Sequence, residues 1–485
     1  MTIKDLKPAL IWDIFDQITK VPRPSKKEAR IRQFLVDFAT SHGIAYKTDE
    51  IGNVVMSKAA TPGCEGAPTV ILQSHMDMVC ESNKPFDFEN NPITTIVDGE
   101  WVHADGTTLG ADNGIGMAAS LAVMADNSLV HGPVEALFTV DEETGLTGAY
   151  NLGSDMINGT ILLNLDSEDD AEVFVGCAGG IDTTITFKYH RELAPAGFHW
   201  FDLHITNLSG GHSGGDIHEG RANSNKLLAR FLFNLSKDGV VALSEIAGGN
   251  LRNAIPRDAR AVFGVASSKR DDVVAAFNRY AADVKNEYVH TDPEMTLELS
   301  TAETPEYAID ADTTTRLIRS LYACPHGVIS MSHDLEGLVE TSTNLASVKM
   351  LPDNEILVTT SQRSSVESRK YDIANQVEAL FALAGAEVTH GDGYPGWAPN
   401  MNSPIMKIAS DAYEELYGVK PAIKAIHAGL ECGLFLTKYP HLDMVSFGPT
   451  LRGVHSPSEK MHIPAVERFW NQLVLILKKV AETKA

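Results

Sequence analysis

Short apolar runs separated by helical patterns dominate the first part of the chain. TVILQSHMD (69–77), PVEALFTV (133–140) and TILLNLD (160–166) each begin as an apolar run of strand length and continue into polar residues. Such runs are typical of strands that are buried on both faces. NGIGMAASLAVMADN (113–127) has the length and the small residues of a helix packed closely on a sheet. This alternation predicts an α/β fold whose sheet is mixed, mostly parallel and flanked by helices.

One helix is marked at both ends by local signals. In SKKEARIRQFLVDFATSHG (25–43), Ser25 and Glu28 have the spacing of a capping box, and Gly43 is a typical helix stop. We therefore expect a helix that begins at Ser25 and ends before Gly43.

A different pattern begins near residue 183. DTTITFKYH (182–190) and FDLHITNLS (201–209) alternate polar and apolar positions, as strands with one wet face do. The segment 343–365 predicts a hairpin that turns at residues 352–355. This α+β region ends near the glycine- and proline-rich stretch 390–400.

The α/β pattern then returns, with a long final helix expected from Pro464. We therefore predict two domains. One is built from residues 1–182 and 396–485, and the other is an inserted α+β domain of residues 183–395.

Composition and charge narrow the classes of function. Of the 485 residues, 44% are hydrophobic and 21% charged, which is typical of a soluble globular protein. The net charge of −24 argues against nucleic acids and anionic membranes as partners. No apolar stretch approaches the ~20 residues of a membrane span, and we expect no signal peptide. The five cysteines are scattered and odd in number, which favours a reduced, cytoplasmic protein.

A histidine or an acid follows each of several predicted buried strands. Each has an ordinary alternative: His75 with Asp77 could be a surface pair, Asp112 a helix N-cap, and the triplet Asp141 to Glu143 a solvated turn. Strand exits converge at one edge of an α/β sheet, however, and ligands bind there. We therefore expect the following groups to meet at one site: His75, Asp112, a glutamate of the segment VDEETG, Asp166 and His455.

Imidazoles mixed with carboxylates suit two divalent ions that share one bridging carboxylate. Zn²⁺ is the first expectation, and Mn²⁺ or Co²⁺ could replace it. The sequence contains neither the phosphate-binding motif GxxxxGK[ST] nor the nucleophile motif GxSxG.

The blocks that carry these residues resemble those of the co-catalytic zinc peptidases, the family that includes aminoacylase, carboxypeptidase G and the carnosinases. HAGLECGLF and NLDSEDD are similar to a branch that cleaves dipeptides ending in histidine. The other matching blocks, in chain order, are SHMDMV, TLGADNGIGMA, VDEETGLTGA, LLNLDSED, GGHSGGDIHEGRANS, RNAIPR and GPTLRGVHSPSE.

The resemblance implies a role for each residue of the site. His75 and Asp166 would bind one zinc ion, Glu143 and His455 the other, and Asp112 both. Asp77 would support His75. Glu142 would be the general acid/base rather than a ligand. A cis peptide bond would follow Asp112.

The resemblance also makes the inserted domain a lid over a catalytic domain. From the lid, His212 would stabilise the oxyanion, and Asn253 and Arg363 would bind the substrate. Asp141 is expected to be structural or solvated. Because Glu142 and Glu143 would face different partners, the chain must bend there, and we expect Gly145 to permit the bend.

The implied activity is the hydrolysis of Xaa-His dipeptides such as β-Ala-His by a two-zinc enzyme. A tripeptidase or an acyl-amino-acid deacylase would use the same zinc site, and a non-catalytic metal-binding or scaffold protein is the alternative from another class. The presence of Glu142 favours an enzyme, and the long inserted domain favours the dipeptidase. The shorter relatives dimerise through the inserted domain. The longer domain here could replace that contact within one chain or form a contact of its own, and we expect a homodimer.

Overall fold

The computed structural model describes residues 2–483, which form two compact units. The first unit runs to Cys177 and adds Trp397–Ala425 and the chain from Leu430 onward, and the second contains Ala178–Gly396 and Ile426–Gly429. Our predicted division had placed residues 178–182, 396 and 426–429 in the α/β domain. They join the second unit, where Ser342 Oγ lies 2.7 Å from His427 Nε2.

The α-helices are α1 (Ala9–Ile18), α2 (Ala29–Ser41), α3 (Ala111–Ala125), α4 (Glu142–Gly145), α5 (Thr147–Asn151), α6 (Ser224–Asp238), α7 (Arg270–Glu287), α8 (Ala311–Ala323), α9 (Glu367–Leu383), α10 (Pro404–Tyr417), α11 (Glu431–Lys438) and α12 (Ile463–Ala481).

The strands are β1 (Ala45–Thr48), β2 (Val54–Lys58), β3 (Val70–His75), β4 (Thr95–Asp98), β5 (Trp101–Ala104), β6 (Val134–Thr139), β7 (Ile161–Asn164), β8 (Glu172–Cys177), β9 (Gly179–Lys188), β10 (Arg191–Leu193), β11 (Phe198–Thr206), β12 (Gly211–His212), β13 (Ala242–Gly248), β14 (Ala254–Ile255), β15 (Ala259–Ala266), β16 (Thr296–Thr301), β17 (Tyr307–Ile309), β18 (Gly327–Met331), β19 (Val339–Leu351), β20 (Glu355–Ser364), β21 (Glu387–His390), β22 (Ala422–Ile426), β23 (Asp443–Ser446), β24 (Leu451–Arg452) and β25 (Lys460–His462).

An eight-stranded sheet forms the centre of the first unit, in the order β1-β2-β6-β3-β7-β23-β8-β22. Its four middle strands, β6, β3, β7 and β23, are parallel, whereas β2 and β8 pair antiparallel with them. Every residue of β3 and β6 is buried, which explains their continuous apolar runs. The predicted mixed α/β fold is confirmed, and the four parallel strands end at one common edge.

Helices cover this sheet through small and apolar residues. Helix α3 packs on β3 and β6, and α1 packs on α3. Close approach is possible because α3 presents glycine, alanine and serine along much of its length, and nearly all of it is buried. Helix α10 packs on β23 and on α12.

The start of α2 differs from the predicted capping box. The helix begins at Ala29, after Glu28, and no side chain caps it. Ser25 Oγ instead donates a hydrogen bond to Asp77 (2.7 Å), and Glu28 accepts one from the backbone amide of Asp141 (3.1 Å). The prediction was wrong because these side chains have distant partners that a local pattern does not reveal. The helix does end as predicted, with Gly43 at φ 66°.

The second unit is built on a nine-stranded sheet in which β19 and β20 form the predicted hairpin. Helices α6, α7, α8 and α9 contribute Phe231, Phe277, Leu317 and Phe381 to its hydrophobic core. Among the residues that the structure describes, no helix is long and apolar enough to cross a membrane.

Two leucines of the second unit, one buried and one exposed, allow a test of the assigned hydrophobic core. Leu345 in β19 is fully buried, whereas Leu383 at the end of α9 is 90% exposed. We expect Leu345→Ala to lower the free energy of unfolding by about 2–5 kcal/mol, because it leaves a cavity. Leu383→Ala should change it by less than about 0.5 kcal/mol. Guanidinium unfolding followed by circular dichroism would measure both, and equal losses would contradict the assigned core.

Candidate metal centre

Five side chains from separate segments of the first unit meet at the carboxyl edge of its parallel strands. His75 is the last residue of β3, and Asp166 follows the end of β7 by two residues. Glu143 is the second residue of α4, and Asp112 lies at the start of α3, where its own backbone is not helical (φ −80°, ψ 114°). His455 lies in the turn between β24 and β25 with φ 60°.

The carboxylate of Asp112 lies between two groups of side chains. Its Oδ1 is 3.0 Å from His75 Nε2, which is also 3.4 Å from Asp166 Oδ1. Its Oδ2 is 3.1 Å from His455 Nε2, which is also 3.1 Å from Glu143 Oε2. Each oxygen of Asp112 therefore faces a different histidine and a different second carboxylate.

The donor atoms of these two groups fit divalent cations. Within each group they lie within 4.8 Å of one another, and imidazole with carboxylate is a common ligand set for such ions. Glu143 Oε1 is buried and has no hydrogen-bond partner among the described residues. A buried acceptor without a partner is costly, and a cation bound beside His455 would satisfy it. The residues thus fit two cations that share Asp112.

The pKa values of the side chains show that this site favours positive charge. Burial by itself would raise the pKa of Asp112, but hydrogen bonds with His455 and His75 hold that pKa below its ordinary value. Hydrogen bonds to Asp112 and Glu143 raise the pKa of His455 to about 11. Burial raises the pKa of Asp166 to about 6. Protonated imidazole thus offsets the buried carboxylates, as a metal cation would.

Asp77 connects His75 to the turn that carries Glu142 and Glu143. Its Oδ1 lies 3.2 Å from His75 Nδ1, and its two oxygens accept hydrogen bonds from the amides of Glu142 (3.0 Å) and Glu143 (3.3 Å). Burial opposes the charged form, but the hydrogen bond with His75 and the one from Ser25 lower the pKa of Asp77 to about 2. Asp77 therefore fixes the ring of His75 and the position of the turn together.

The turn bends at Asp141, not at Gly145 as we had expected. Asp141 has φ 50° and ψ 50°, whereas Gly145 belongs to the short helix α4 and does not have a positive φ. Asp141 is buried, and its carboxylate accepts hydrogen bonds from the hydroxyl groups of Thr144 and Thr147. These bonds explain how a non-glycine residue keeps the left-handed conformation. Asp141 is thus structural rather than solvated.

The peptide bond between Asp112 and Asn113 is cis, as the resemblance implies.

Glu142 lies beside the two groups without belonging to either. One of its carboxylate oxygens lies within 4.8 Å of donor atoms of His75 and Glu143. Burial, partly opposed by the charge of His75, raises the pKa of Glu142 well above its ordinary value. A buried carboxyl group with a raised pKa holds a proton more readily than an exposed one, which suits a general acid and base.

The second unit contains the other three predicted site residues. His212 lies in β12, and Asn253 directly precedes β14, the strand that pairs with β12. The backbone oxygen of Asn253 accepts a hydrogen bond from the amide of Ser213 (2.8 Å), while the side chain of Asn253 is exposed. Arg363 is buried, and it donates to Ser213 Oγ (3.3 Å) and to the hydroxyl group of Tyr394 (2.8 Å). His212, Asn253 and Arg363 therefore lie around Ser213.

The proton of His212 is assigned by its neighbours. Its Nδ1 accepts hydrogen bonds from the amides of Gly214 (3.3 Å) and Gly215 (3.0 Å). Burial, together with the charge of Arg363, lowers the pKa of His212 to about 4. The ring is therefore neutral near pH 7, and its proton is on Nε2, which makes Nε2 a hydrogen-bond donor.

Sequence reasoning missed several polar residues beneath the site. Glu431, the first residue of α11, is 1% exposed and accepts hydrogen bonds from Gln73 (2.5 Å) and Thr139 (2.8 Å). Burial raises the pKa of Glu431 to about 8. Glu459 and Arg23 contact the backbone near Asp112. Glu431 and Glu459 lie within the matching blocks HAGLECGLF and GPTLRGVHSPSE, whereas no block or motif includes Arg23.

Comparisons with known proteins find peptidases that match nearly the whole chain. The chain matches the peptidase family M20/M25/M40 over residues 71–479. It is 44% identical over 480 residues to the cytosol non-specific dipeptidase of Escherichia coli (strain K12), with 99% of each chain covered. The crystal structure of aminoacylhistidine dipeptidase from Vibrio alginolyticus has a TM-score of 0.91 and 44% identity, covering 99% of this chain and 98% of that one. A tripeptidase from Staphylococcus aureus, with a TM-score of 0.58, 17% identity and coverage of 99% and 100%, shares the fold.

The family match covers most of the chain, and the two relatives at 44% identity extend over nearly all of it. Peptidases of this family are metal-dependent, in keeping with the two groups of donor atoms that share Asp112. The family predicted from the sequence blocks is confirmed. The chain belongs to the peptidase family M20/M25/M40 and is a metallopeptidase.

Proposed function

We propose that the protein is a two-zinc dipeptidase that hydrolyses Xaa-His dipeptides such as β-Ala-His. The observation that carries the proposal is the shared carboxylate of Asp112, because two cations that bridge one carboxylate suit metal-assisted hydrolysis. Support for the substrate comes from the two full-length relatives, which are named as dipeptidases, one of them as an aminoacylhistidine dipeptidase. Since the other is named for the cytosol, we also propose a cytoplasmic location.

We assign one zinc ion to His75, Asp112 and Asp166, and the other to Asp112, Glu143 and His455. Co²⁺ or Mn²⁺ could replace zinc, because they accept the same donor types. When bound, such a pair of ions supplies a water of lowered pKa and polarises the scissile carbonyl group.

The residues of the chain then move the protons. Glu142 takes a proton from the attacking water while the water oxygen forms a bond to the scissile carbon. The same proton passes to the leaving nitrogen as the C–N bond breaks, so Glu142 ends in its starting state. Asp77 keeps His75 and the Glu142 turn in place throughout.

The remaining roles fall to residues of the second unit. His212 would donate from Nε2 to the carbonyl oxygen as negative charge develops there. Arg363 would pair with the C-terminal carboxylate of the substrate, with Asn253 as an additional amide contact. The inserted-domain lid and the homodimer stay predictions of the sequence.

Removal of the metal ions should abolish turnover and lower the melting temperature. The carboxylates near Asp112 lose the cations that offset their repulsion, and the folded state loses the free energy of ligand binding. Activity and thermal unfolding would be measured after treatment with a chelator. A second sample with the chelator and an excess of Zn²⁺ should recover both. If the metal-stripped protein kept its turnover and its melting temperature, the two-metal assignment would be wrong.

Adjacent glutamates should respond differently to substitution. We expect Glu142→Ala to lower kcat by about 10²–10⁴ while zinc per chain stays unchanged, because Glu142 moves protons. Glu143→Ala should lower metal affinity, because Glu143 holds an ion. Elemental analysis beside kcat on a His-terminated dipeptide would separate the two roles, with circular dichroism as the control for folding. An active Glu142→Ala variant with normal metal content would refute the assignment.

A substrate series should distinguish the dipeptidase from its alternatives. We expect β-Ala-His to be cleaved with a higher kcat/KM than β-Ala-Ala, and both to exceed tripeptides and N-acetylated amino acids. The reason is that recognition of both charged termini favours one peptide length. Faster cleavage of a tripeptide would identify a tripeptidase, faster cleavage of an acetylated amino acid a deacylase, and equal rates for the two dipeptides a broad dipeptidase.

A further inference from the structure

The loop that carries Asp112 is held by a buried carboxylate that does not itself contact the two histidines. Glu459 is 2% exposed. Its Oε2 accepts hydrogen bonds from the amides of Leu109 (2.7 Å) and Gly110 (3.0 Å), and its Oε1 accepts from Ala111 (2.8 Å) and Asp112 (3.3 Å). Four consecutive backbone amides therefore point at one side chain.

This geometry is an anion-binding concavity of the backbone, occupied by a carboxylate of the same chain. The concavity requires a left-handed residue, which is Gly110 with φ 70° and ψ 31°. It also lies at the beginning of α3, where backbone amides lack helical partners. Glu459 thus satisfies the free amides of the helix start and, by the same contacts, fixes the residue whose carboxylate faces both metal groups.

A buried cation holds the other side of the same loop. Arg23 is 2% exposed. Its guanidinium donates hydrogen bonds to the backbone oxygens of Met76 (3.1 Å), Asp77 and Gly110. Arg23 therefore joins the end of β3, just after His75, to the loop of Asp112. A Cβ atom on Gly110 would approach Arg23 Nη2 to 2.6 Å, so glycine at this position also leaves room for the guanidinium.

The contact from Glu459 also links two residues of the candidate metal centre. Glu459 lies four residues after His455 in the same turn, in which the amide of Glu459 donates to the oxygen of Ser456 (3.0 Å). That turn meets the Asp112 loop at two points: His455 contacts the carboxylate of Asp112, and Glu459 contacts the backbone amides. The side chain of Glu459 thereby ties the turn that carries His455 to the backbone that carries Asp112.

We propose that Glu459 and Arg23 are positioning residues that hold Asp112 at the distance from His75 and His455 that two bridged metal ions require. Metal–ligand distances tolerate deviations of only about 0.2 Å, and a misplacement of about 1 Å can reduce catalysis by about 100-fold. The inference rests on the proposed two-metal function. It assigns to Glu459 and Arg23 an effect on metal affinity and kcat, and no contact with the substrate.

Glu459→Gln tests the inference with little change in shape. The amide side chain keeps one acceptor oxygen, but its NH₂ group faces two of the four backbone N–H groups, so the loop must move. We expect metal affinity and kcat to fall by about 10- to 100-fold, the usual effect of losing a residue that orients metal ligands. At saturating metal, KM for the dipeptide should change by less than about twofold, because substrate binding is untouched.

Glu135→Gln is the matched control for a merely structural effect. Glu135 in β6 is also a buried carboxylate that accepts from two loop amides, those of Asn158 (2.9 Å) and Gly159 (3.0 Å). It lies at the beginning of its strand, at the opposite end of the sheet from His75. Both variants should lower the melting temperature of the metal-free protein, but only Glu459→Gln should lower metal affinity and kcat.

Metal affinity is measured by competition of Zn²⁺ with a chromophoric chelator, which needs no substrate. Should Glu459→Gln fail to fold by circular dichroism, Arg23→Lys decides, because it keeps the charge but loses the two separate nitrogens that span Met76 and Gly110. We expect the same losses in that variant. Wild-type metal affinity and kcat in a folded variant, or equal losses in Glu135→Gln, would overturn the inference. A wild-type protein that bound no zinc and cleaved no dipeptide would instead refute the proposed function.

Discussion

Negative charge gathered at one edge of a buried sheet is the constraint on which the rest of this structure depends. Two like charges 4 Å apart repel by about 4 kcal/mol at an effective dielectric constant of about 20. One oxygen of Asp112 lies within 4.8 Å of an oxygen of Asp166, and one lies within 4.8 Å of an oxygen of Glu143. The two histidines offset part of this charge through their contacts with Asp112. Two divalent cations would offset more, and the unpaired Oε1 of Glu143 indicates where one of them would bind.

The backbone around the site holds these side chains close together despite their repulsion. Parallel strands β3, β6 and β7 end at the same edge, so His75, Glu143 and Asp166 converge without long loops. The left-handed residue Asp141 turns the chain after β6, and Asp77 accepts both amides of the turn that follows. Much of the site is therefore held by hydrogen bonds between carboxylates and backbone amides. These bonds favour the ionised carboxylates that metal ions need.

Local sequence patterns predicted the helices and strands well where the residues that form the pattern also cause the structure. The apolar runs of β3 and β6, the small residues of α3 and the hairpin between β19 and β20 all follow from the residues of those segments. The predictions failed where a side chain has a distant partner. Ser25 and Glu28 have the spacing of a capping box, but they bond to Asp77 and Asp141. Gly145 is the conformationally freest residue of its segment, yet the bend lies at Asp141, which its own carboxylate stabilises.

The sequence by itself determined the fold class, the family and the set of residues at the strand ends, because periodicity and short motifs are properties of neighbouring residues. Only the tertiary structure decided that each oxygen of Asp112 faces a different histidine. It also revealed the buried partners Arg23, Glu431 and Glu459, of which Arg23 lies 87 residues from the backbone oxygen of Gly110 that it binds. The reason is physical: a hydrogen bond between distant segments depends on how both are packed, and neither segment contains that information alone.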